Sequence, residues 1–494
     1  MNLIIKENIN LLIFAFLASV FIYGIDIFNF YLPIDSEFGN NFIGTISLGR
    51  WGHSLLRYTI LPEPFLPYFT VLISMVFLSI SAVISSSVIG FEGKSSYLFC
   101  LLAVSYPQNA YQVEFLNQAD TYCIGLALCS LSVKLFIQFL NVEEKVTRLS
   151  LASAAVALII YAMAIYQTMV FYVICLYIAK IIYDNLENQK PILKTRANII
   201  FIILIFTSLL LYLTITSIIQ SFFRIPASTY GKIYFPHIFD IHSVYPTLRI
   251  FLKTALGSRN FGLQVNIFSV ISSIILIKIA GSNKHNINRL PLTICLIIIL
   301  FLPYSFILIS MGEVPARLFC GSSIVFAFVI ALLYQKLKYD LVILTICLLI
   351  SIINIYSVTS LFYSDIYSRE LDINTANNIN SLISKNYPDI LQSNIPVYFH
   401  GGLKQNNPWK KNKTDVSGSS FFYWDGGNND RIINFFKFYG IENFHQAAPD
   451  QIKGLLPIIN NIPEYPSRGS VKIVDGVLVI KLGQTTGWLP FEHK

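Results

Sequence analysis

Two carboxylates, spaced two residues apart, follow the first long apolar run of the chain. The run covers residues 10–32, and Asp35 and Glu37 come directly after it in the sequence Pro-Ile-Asp-Ser-Glu-Phe-Gly. An alcohol hydroxyl is too weakly acidic to react unaided, so a reaction in which it is the nucleophile needs a positioned general base. In such a pair, one acid could take the proton while the other binds the molecule that carries the hydroxyl. The alternative is a pair of solvated acids at a helix exit, and either acid could be the base.

Arg50 and Trp51 lie farther along the same connector, residues 33–65. An arginine fork can bind a phosphate through two parallel hydrogen bonds, and an indole can stack on the face of a sugar. The alternative for Trp51 is an anchor in the aromatic belt at the membrane surface. Both interpretations stay open, an anchor at the membrane surface and a site for a phosphate and a sugar.

Two later turns also carry ionisable side chains at the edges of apolar segments. Glu114 and Asp120 lie in one turn, and Glu313 and Arg317 lie in the other. Ionisable groups at such edges are costly and therefore often functional. Simpler roles stay open, since Asp120 could cap a helix and Glu313 could pair with Arg317.

The composition places these residues in a polytopic α-helical membrane protein. Hydrophobic residues make up 54% of the chain, charged residues only 13%, and the mean hydropathy is +0.61. A soluble domain carries about 25% charged residues. The apolar runs predict about eleven membrane-spanning helices, the first of them retained rather than cleaved as a signal peptide. They cover residues 10–32, 66–90, 96–116, 119–140, 151–166, 168–183, 198–222, 263–281, 291–311, 318–335 and 341–363.

The positions of the lysines and arginines predict the orientation. Short connectors on one side hold the clusters around Lys94, Lys145, Lys190, Lys284 and Lys336. The positive-inside rule places these connectors and the N-terminus in the cytoplasm. An odd number of spans then puts residues 364–494 on the far side.

One large connector, residues 223–262, is basic although the alternation of spans places it outside. Its charged and polar candidates are Arg224, Lys232, His237, Arg249, Lys253 and Arg259. A run of charges is usually a solvated surface. Positive charge kept against the orientation bias is also explained by binding of an anionic lipid phosphate, which is the interpretation we favour.

These patterns predict a transmembrane domain, residues 1–363, and a soluble α/β domain, residues 364–494. In the tail, the patterns predict a strand at 395–400, a helix at 431–439 and a hairpin over 471–480 that turns at Asp475-Gly476. The sequence contains no phosphate-binding loop, dinucleotide fingerprint or zinc motif, so we expect no cofactor and no metal. Lys481 follows the hairpin and could reach back towards the first outer loop.

The first connector of the chain resembles that of a known family. The run Tyr31-Leu-Pro-Ile-Asp-Ser-Glu-Phe-Gly, followed by Leu48-Gly-Arg-Trp-Gly-His, is similar to the first loop of the serotype-converting O-antigen glucosyltransferases, the Gtr type II family. These are membrane glycosyltransferases of the GT-C class. Asp35 matches the family's first acid, Ser36 stands where many members have a second Asp, and Glu37 comes one residue later. This departure leaves open which acid is the base.

The resemblance implies transfer of a glucosyl unit from undecaprenyl-phosphate glucose to O-antigen, in lipopolysaccharide, at the periplasmic face of the bacterial inner membrane. Nucleotide sugars are cytoplasmic, so a site built from outer loops requires a lipid-linked donor. We expect one inverting displacement at the anomeric carbon, with Asp35 or Glu37 as base and basic groups stabilising the departing phosphate. The predicted partners are this donor, the O-antigen acceptor and membrane lipids, and no nucleic acid.

The remaining predicted site residues fall into two sets. The phosphate-binding candidates are Arg50, Arg224, Lys232, Arg249, Arg259 and Arg317. The acceptor-binding or sugar-binding candidates are Trp51, Glu114, Asp120, His237 and Lys481. Two alternatives stay open, an O-antigen polymerase and a flippase or transporter of lipid-linked oligosaccharide, and a cytoplasmic C-terminus would favour either one.

Overall fold

The chain forms two compact units that are not contiguous in sequence. The computed structural model describes residues 2–38, 41–188, 195–229, 241–282, 289–338, 341–388, 395–484 and 489. One unit, here called the membrane unit, consists of Met1–Phe28 and Asn40–Thr359. The other, the terminal unit, consists of Asn29–Gly39 and Ser360–Lys494. The segment that carries Asp35 and Glu37 therefore belongs to the terminal unit.

The described residues form sixteen α-helices before the first strand. They are α1 (Asn2–Phe28), α2 (Phe42–Ser47), α3 (Trp51–Thr59), α4 (Pro67–Ile89), α5 (Gly93–Ser105), α6 (Ala110–Val113), α7 (Ala119–Asn141), α8 (Lys145–Ile165), α9 (Met169–Asn188), α10 (Thr195–Phe223), α11 (Val244–Ala255), α12 (Asn266–Ser282), α13 (Arg289–Phe301), α14 (Phe306–Ser310), α15 (Ser322–Lys336) and α16 (Leu341–Asn386).

Eight of the described helices, namely α1, α4, α7, α8, α9, α10, α12 and α16, are long and apolar enough to cross a membrane. The protein is therefore a polytopic membrane protein. Three further predicted spans contain the shorter helices α5, α13 and α15, of 13, 13 and 15 residues. Helix α5 ends at Ser105 because Tyr106, which precedes Pro107, adopts an extended conformation. The count of eleven spans stays a prediction.

Helix α15 forms part of the interior of the membrane unit. All its residues from Ser322 to Tyr334 are buried, so both polar and apolar positions face neighbouring helices. A helix that is apolar on every side belongs in the centre of a bundle. Helix α10 is the opposite case, since only 22% of its most apolar 18-residue stretch is buried inside the protein. Its exposed leucines and isoleucines are the surface that a lipid bilayer would cover.

The terminal unit contains a small mixed sheet with helices against it. The strands are β1 (Pro396–His400), β2 (His445–Gln446), β3 (Val471–Val474) and β4 (Val477–Lys481), and their order is β2-β1-β4-β3. Strand β1 is parallel to β2 and β4, and β3 is antiparallel to β4. Helices α17 (Asn429–Phe438) and α18 (Pro449–Ile459) complete the unit. The predicted strand, helix and hairpin of the tail are confirmed, and Asp475 and Gly476 both have the positive φ that a tight hairpin turn requires.

The end of α16 is fixed within the terminal unit by buried charges. Asp365 accepts a hydrogen bond from the Gly418 N–H at 2.6 Å. Asp372 accepts from the Ser420 hydroxyl and the Phe421 N–H, and it pairs with Arg369 at 2.9 Å. Buried carboxylates need such partners to offset the loss of hydration. These contacts tie α16 to the loop that precedes α17.

Candidate active site

The acidic pair sits on a segment that is anchored by apolar side chains. Tyr31, Leu32 and Ile34 are buried, and each is at most 2% exposed. The Ser36 N–H donates to the Pro33 carbonyl at 3.1 Å and closes a turn. Asp35 adopts a φ of 73° in this turn, a left-handed conformation that aspartate tolerates better than most residues. The turn brings the Asp35 and Glu37 carboxylates towards one cation.

That cation is Arg431, the third residue of α17. Its Nη2 lies 2.8 Å from Asp35 Oδ1, and its Nη1 lies 2.5 Å from Glu37 Oε1. Its Nε lies 2.7 Å from Asp425 Oδ2. One guanidinium therefore binds three carboxylates through three different nitrogens. The ring of Phe38 lies 5.4 Å from the guanidinium carbon.

The start of α17 is held in place on both sides of Arg431. The Asn428 side chain caps the helix by accepting from the Asp430 N–H at 3.0 Å. The buried Asn429 amide binds both backbone groups of Phe399 in β1, at 2.8 and 2.7 Å. Ile432, Phe435 and Phe436 follow at helical spacing and are buried. Arg431 is thus positioned by the sheet and core of the terminal unit.

The two acids differ in their surroundings. The Glu37 side chain is fully buried, whereas the Asp35 side chain is 40% exposed. Burial raises the pKa of Glu37 to about 7, because the opposing effect of Arg431 is smaller and Asp35 raises it further. Burial lowers the pKa of Arg431, but its three carboxylates outweigh this effect and raise it overall. Among the described residues, Glu37 Oε2 has no hydrogen-bond partner. A carboxyl group that ionises near neutral pH is suited to accept a proton.

A second polar cluster lies within the membrane unit, on one face of α3. Arg50, His53 and Arg57 recur at helical spacing and face the start of α7. Arg50 Nη1 donates to Gln118 Oε1 at 3.4 Å, and its guanidinium carbon lies 4.6 Å from the centre of the Tyr166 ring. The face therefore joins α3 to the turn that carries the predicted residue Asp120.

The other two residues of this face contact side chains at the start of α7. His53 Nδ1 lies 2.8 Å from Thr121 Oγ1. Burial, together with the positive charges of Arg57 and Arg50, lowers the pKa of His53 to about 3, so its ring is neutral at pH 7. Arg57 Nη2 lies 2.5 Å from Asp120 Oδ1, and both side chains are at most 2% exposed.

Arg50 keeps unused donor capacity, and the face borders a cavity. In the described part of the chain, Arg50 Nε has no hydrogen-bond partner. A cavity of about 560 Å³ opens beside Arg57. It is lined by residues 57–63, Leu66 and Phe69. The mixture of apolar walls and a few charged groups is typical of a site for an amphiphilic ligand.

The remaining predicted residues are distributed over the membrane unit. Trp51 donates from its indole N–H to Thr216 Oγ1 at 3.1 Å, and its ring contacts Tyr161. Glu114 is buried, and the Arg317 guanidinium lies 4.8 Å from the neighbouring Phe115 ring. Arg259 pairs with Glu313, which the sequence had offered as a partner for Arg317. Arg224 and Arg249 are exposed, whereas Lys232 and His237 lie outside the described residues.

Lys481 has a structural environment in the terminal unit. Its side chain is 1% exposed, and its Nζ donates to the carbonyl oxygens of Ile459 and Asn460 at 3.1 and 3.2 Å. These carbonyls lie at the C-terminal end of α18, where a cation is favourable. The contact ties β4 to α18. A role in acceptor binding stays a prediction.

Arg431 and Asp425 complete the acidic cluster, and sequence reasoning missed both of them. The sequence placed a helix over this segment but offered no signal that a residue 394 positions away would contact Glu37. The described residues contain no group of three or more His, Cys, Asp or Glu side chains arranged to hold a metal.

Comparison with known proteins identifies one family. The model of a family described as glucosyl transferase GtrII matches residues 24–371. This range contains both predicted acids and the α3 face, whereas Arg431 lies beyond it. Among curated proteins and among solved structures, no match was found.

Proposed function

Because the chain belongs to the glucosyl transferase GtrII family, we propose that it moves a glucosyl unit from undecaprenyl-phosphate glucose to O-antigen. Membership in this family makes the protein a membrane glycosyltransferase. The identities of the lipid-linked donor and of the polysaccharide acceptor are what we propose. The observation that carries the proposed chemistry is the Asp35–Glu37 pair on Arg431, with the Glu37 pKa at about 7. A polymerase or a flippase is less well supported, because the family is one of transferases.

The donor proposal draws support from the α3 face and the cavity beside it. Arg50 has donor capacity to spare and is half-buried, so it could bind a phosphate at the edge of the apolar region. The apolar lining of the neighbouring cavity would accommodate part of a polyprenyl chain. Arg57 supports this face through Asp120.

The proposed reaction is a single displacement. Glu37, or Asp35 in its place, accepts the proton of an acceptor hydroxyl while that oxygen forms a bond to the anomeric carbon. The bond from this carbon to the phosphate oxygen breaks, and undecaprenyl phosphate departs with the electron pair. A single displacement inverts the anomeric configuration. Glu37 is the stronger candidate for the base, because its pKa lies near the working pH.

The orientation belongs to the same proposal. We infer a cytoplasmic N-terminus and about eleven spans, which would place the terminal unit in the periplasm. A periplasmic site requires a donor that has already crossed the inner membrane as a lipid conjugate. The eight long apolar helices support a multi-pass protein.

The test compares Glu37→Gln and Asp35→Asn in a host with a defined O-antigen. Both changes preserve size and remove charge, and linkage analysis of the lipopolysaccharide measures transfer. A general base contributes about 10²–10⁴-fold, so we expect Glu37→Gln to abolish detectable modification. Asp475→Asn, at the exposed hairpin turn, is the matched control and should leave transfer unchanged. Normal glucosylation by both acid variants, at normal membrane levels, would rule out the proposed base.

A further inference from the structure

We propose that Arg431 is a positioning residue of the active site, which orients the Glu37 carboxylate and stabilises its charged, proton-accepting form. The inference rests on the proposed function, since it assigns a task to the cation that holds the proposed base. It makes α17 and the sheet beneath it part of the catalytic machinery, although both lie far from the first loop in sequence.

The geometry requires an arginine. Nη1 binds Glu37, Nη2 binds Asp35 and Nε binds Asp425, at 2.5, 2.8 and 2.7 Å. A guanidinium presents its donors in a rigid planar fork, so each carboxylate has a fixed direction relative to the other two. A lysine ammonium is a single point of charge and cannot hold three carboxylates in this arrangement. The fork therefore fixes the Glu37 Oε1 atom and, through it, the direction of Oε2.

The burial of the cluster makes the cation necessary. The Glu37 side chain is fully buried, and the Arg431 side chain is 12% exposed. A carboxylate without a counter-ion in such a place would remain protonated, because hydration no longer stabilises its charge. Interactions between charges are also stronger here than at a solvated surface.

The charged groups around Glu37 act in opposite directions. Burial raises its pKa most, Asp35 on the same segment raises it further, and Arg431 on α17 lowers it. Asp425, whose side chain is exposed, also binds Arg431, and Asp430 precedes Arg431 on the same helix. Removing Arg431 would thus leave burial and Asp35 to act against ionisation of Glu37. Removing the charge of Asp35 would act in the other direction.

The experiment measures the pH dependence of transfer for Arg431→Gln and Arg431→Lys. The full-length protein, in vesicles containing undecaprenyl-phosphate glucose, is assayed between pH 6 and 9.5 with isolated O-antigen. An opposite charge in contact changes a carboxyl pKa by about 1–3 units, so the half-maximal pH should rise by this amount in Arg431→Gln. At pH 7 its rate should fall at least about fivefold, and it should rise again as the pH increases towards 9.5. Arg431→Lys should lie between it and the wild type.

Two further variants separate the proposal from a general loss of structure. Lys437→Gln removes a positive charge from an exposed position of the same helix and should leave the profile unchanged. Asp35→Asn should shift the midpoint towards lower pH, the opposite direction from Arg431→Gln. A loss of rate that is equal at every pH in Arg431→Gln would show that Arg431 only maintains the fold, and it would overturn the inference. If Arg431→Gln fails to insert, an unshifted profile in both Arg431→Lys and Asp35→Asn overturns it.

Failure of the proposed function gives a different result. Full activity of Glu37→Gln would show that Glu37 is not the base, whatever the Arg431 variants do. An inactive Glu37→Gln together with an unshifted Arg431→Gln would leave the base in place and reject only the positioning role.

Discussion

The buried pair of Arg57 and Asp120 allows a quantitative test, because it has competing structural and functional explanations. Their side chains are 2% and 0% exposed, and Nη2 lies 2.5 Å from Oδ1. The sequence had offered Asp120 as an acceptor-binding residue. In the structure its Oδ1 also accepts from the Thr121 N–H at 2.7 Å, so the carboxylate holds the start of α7 and its neighbour α3 together.

Removing one partner of a buried pair leaves an uncompensated charge, which costs about 3–5 kcal/mol. Arg57 Nη1 also donates to the Pro62 carbonyl at 3.2 Å, so part of its charge stays solvated by the protein. We therefore expect Asp120→Asn to lose about 3 kcal/mol of unfolding free energy, near the lower end of that range. Replacement of both partners, in Arg57→Met with Asp120→Asn, should cost less than the sum of the single changes.

The assay is reversible unfolding in mixed detergent micelles, combined with transfer activity of the folded fraction. Glu313→Gln is the control, since it breaks the exposed pair with Arg259 and should cost about 0–1 kcal/mol. Strictly additive losses, or a loss of less than about 1 kcal/mol for Asp120→Asn, would refute the buried-pair argument. Normal stability without transfer would instead identify Asp120 as a substrate-binding residue.

Three further outcomes are expected. Lys481→Met should destabilise the terminal unit by about 1–3 kcal/mol, as measured by protease resistance, because the Ile459 and Asn460 carbonyls lose their donor. Reduced transfer by fully folded protein would show a role in binding instead. Arg50→Gln should raise the KM for the lipid donor about tenfold or more, because a charged hydrogen bond to phosphate is lost; an unchanged KM would exclude Arg50 from the donor site. A cysteine at the exposed position Lys453 should react with a membrane-impermeant reagent in intact spheroplasts, whereas one at Lys338 should not, and the reverse pattern would invert the inferred orientation.

The sequence predicted what depends on local periodicity. Long apolar runs located the eight long helices, and alternation with a turn signal located the hairpin. It predicted less well where one proline interrupts an apolar run, since Pro107 ends α5 within a stretch that reads as one span. A hydropathy pattern reports the length of apolar sequence and is insensitive to such breaks.

The candidate site was predictable only in part. Asp35 and Glu37 stand out because charge is rare beside an apolar run, and this signal is local. Arg431 lies in a polar stretch of the tail, where an arginine is not unusual. Only the folded chain brings it to the two acids. The same limit applies to Lys481, whose burial beneath α18 depends on a contact between distant elements. A contact between residues that are far apart in the sequence produces no periodic pattern from which it could be predicted.

The division of the terminal unit into residues 29–39 and 360–494 has a consequence for biosynthesis. Glu37 leaves the ribosome with the first span, and Arg431 follows 394 residues later. At about 5–20 residues per second, the interval is roughly 20–80 s. Throughout that time the two carboxylates exist without their cation, while the remaining spans are synthesised. If Arg431 orients Glu37 as proposed, a chain released before α17 lacks this cation, and we expect full activity only after translation is nearly complete.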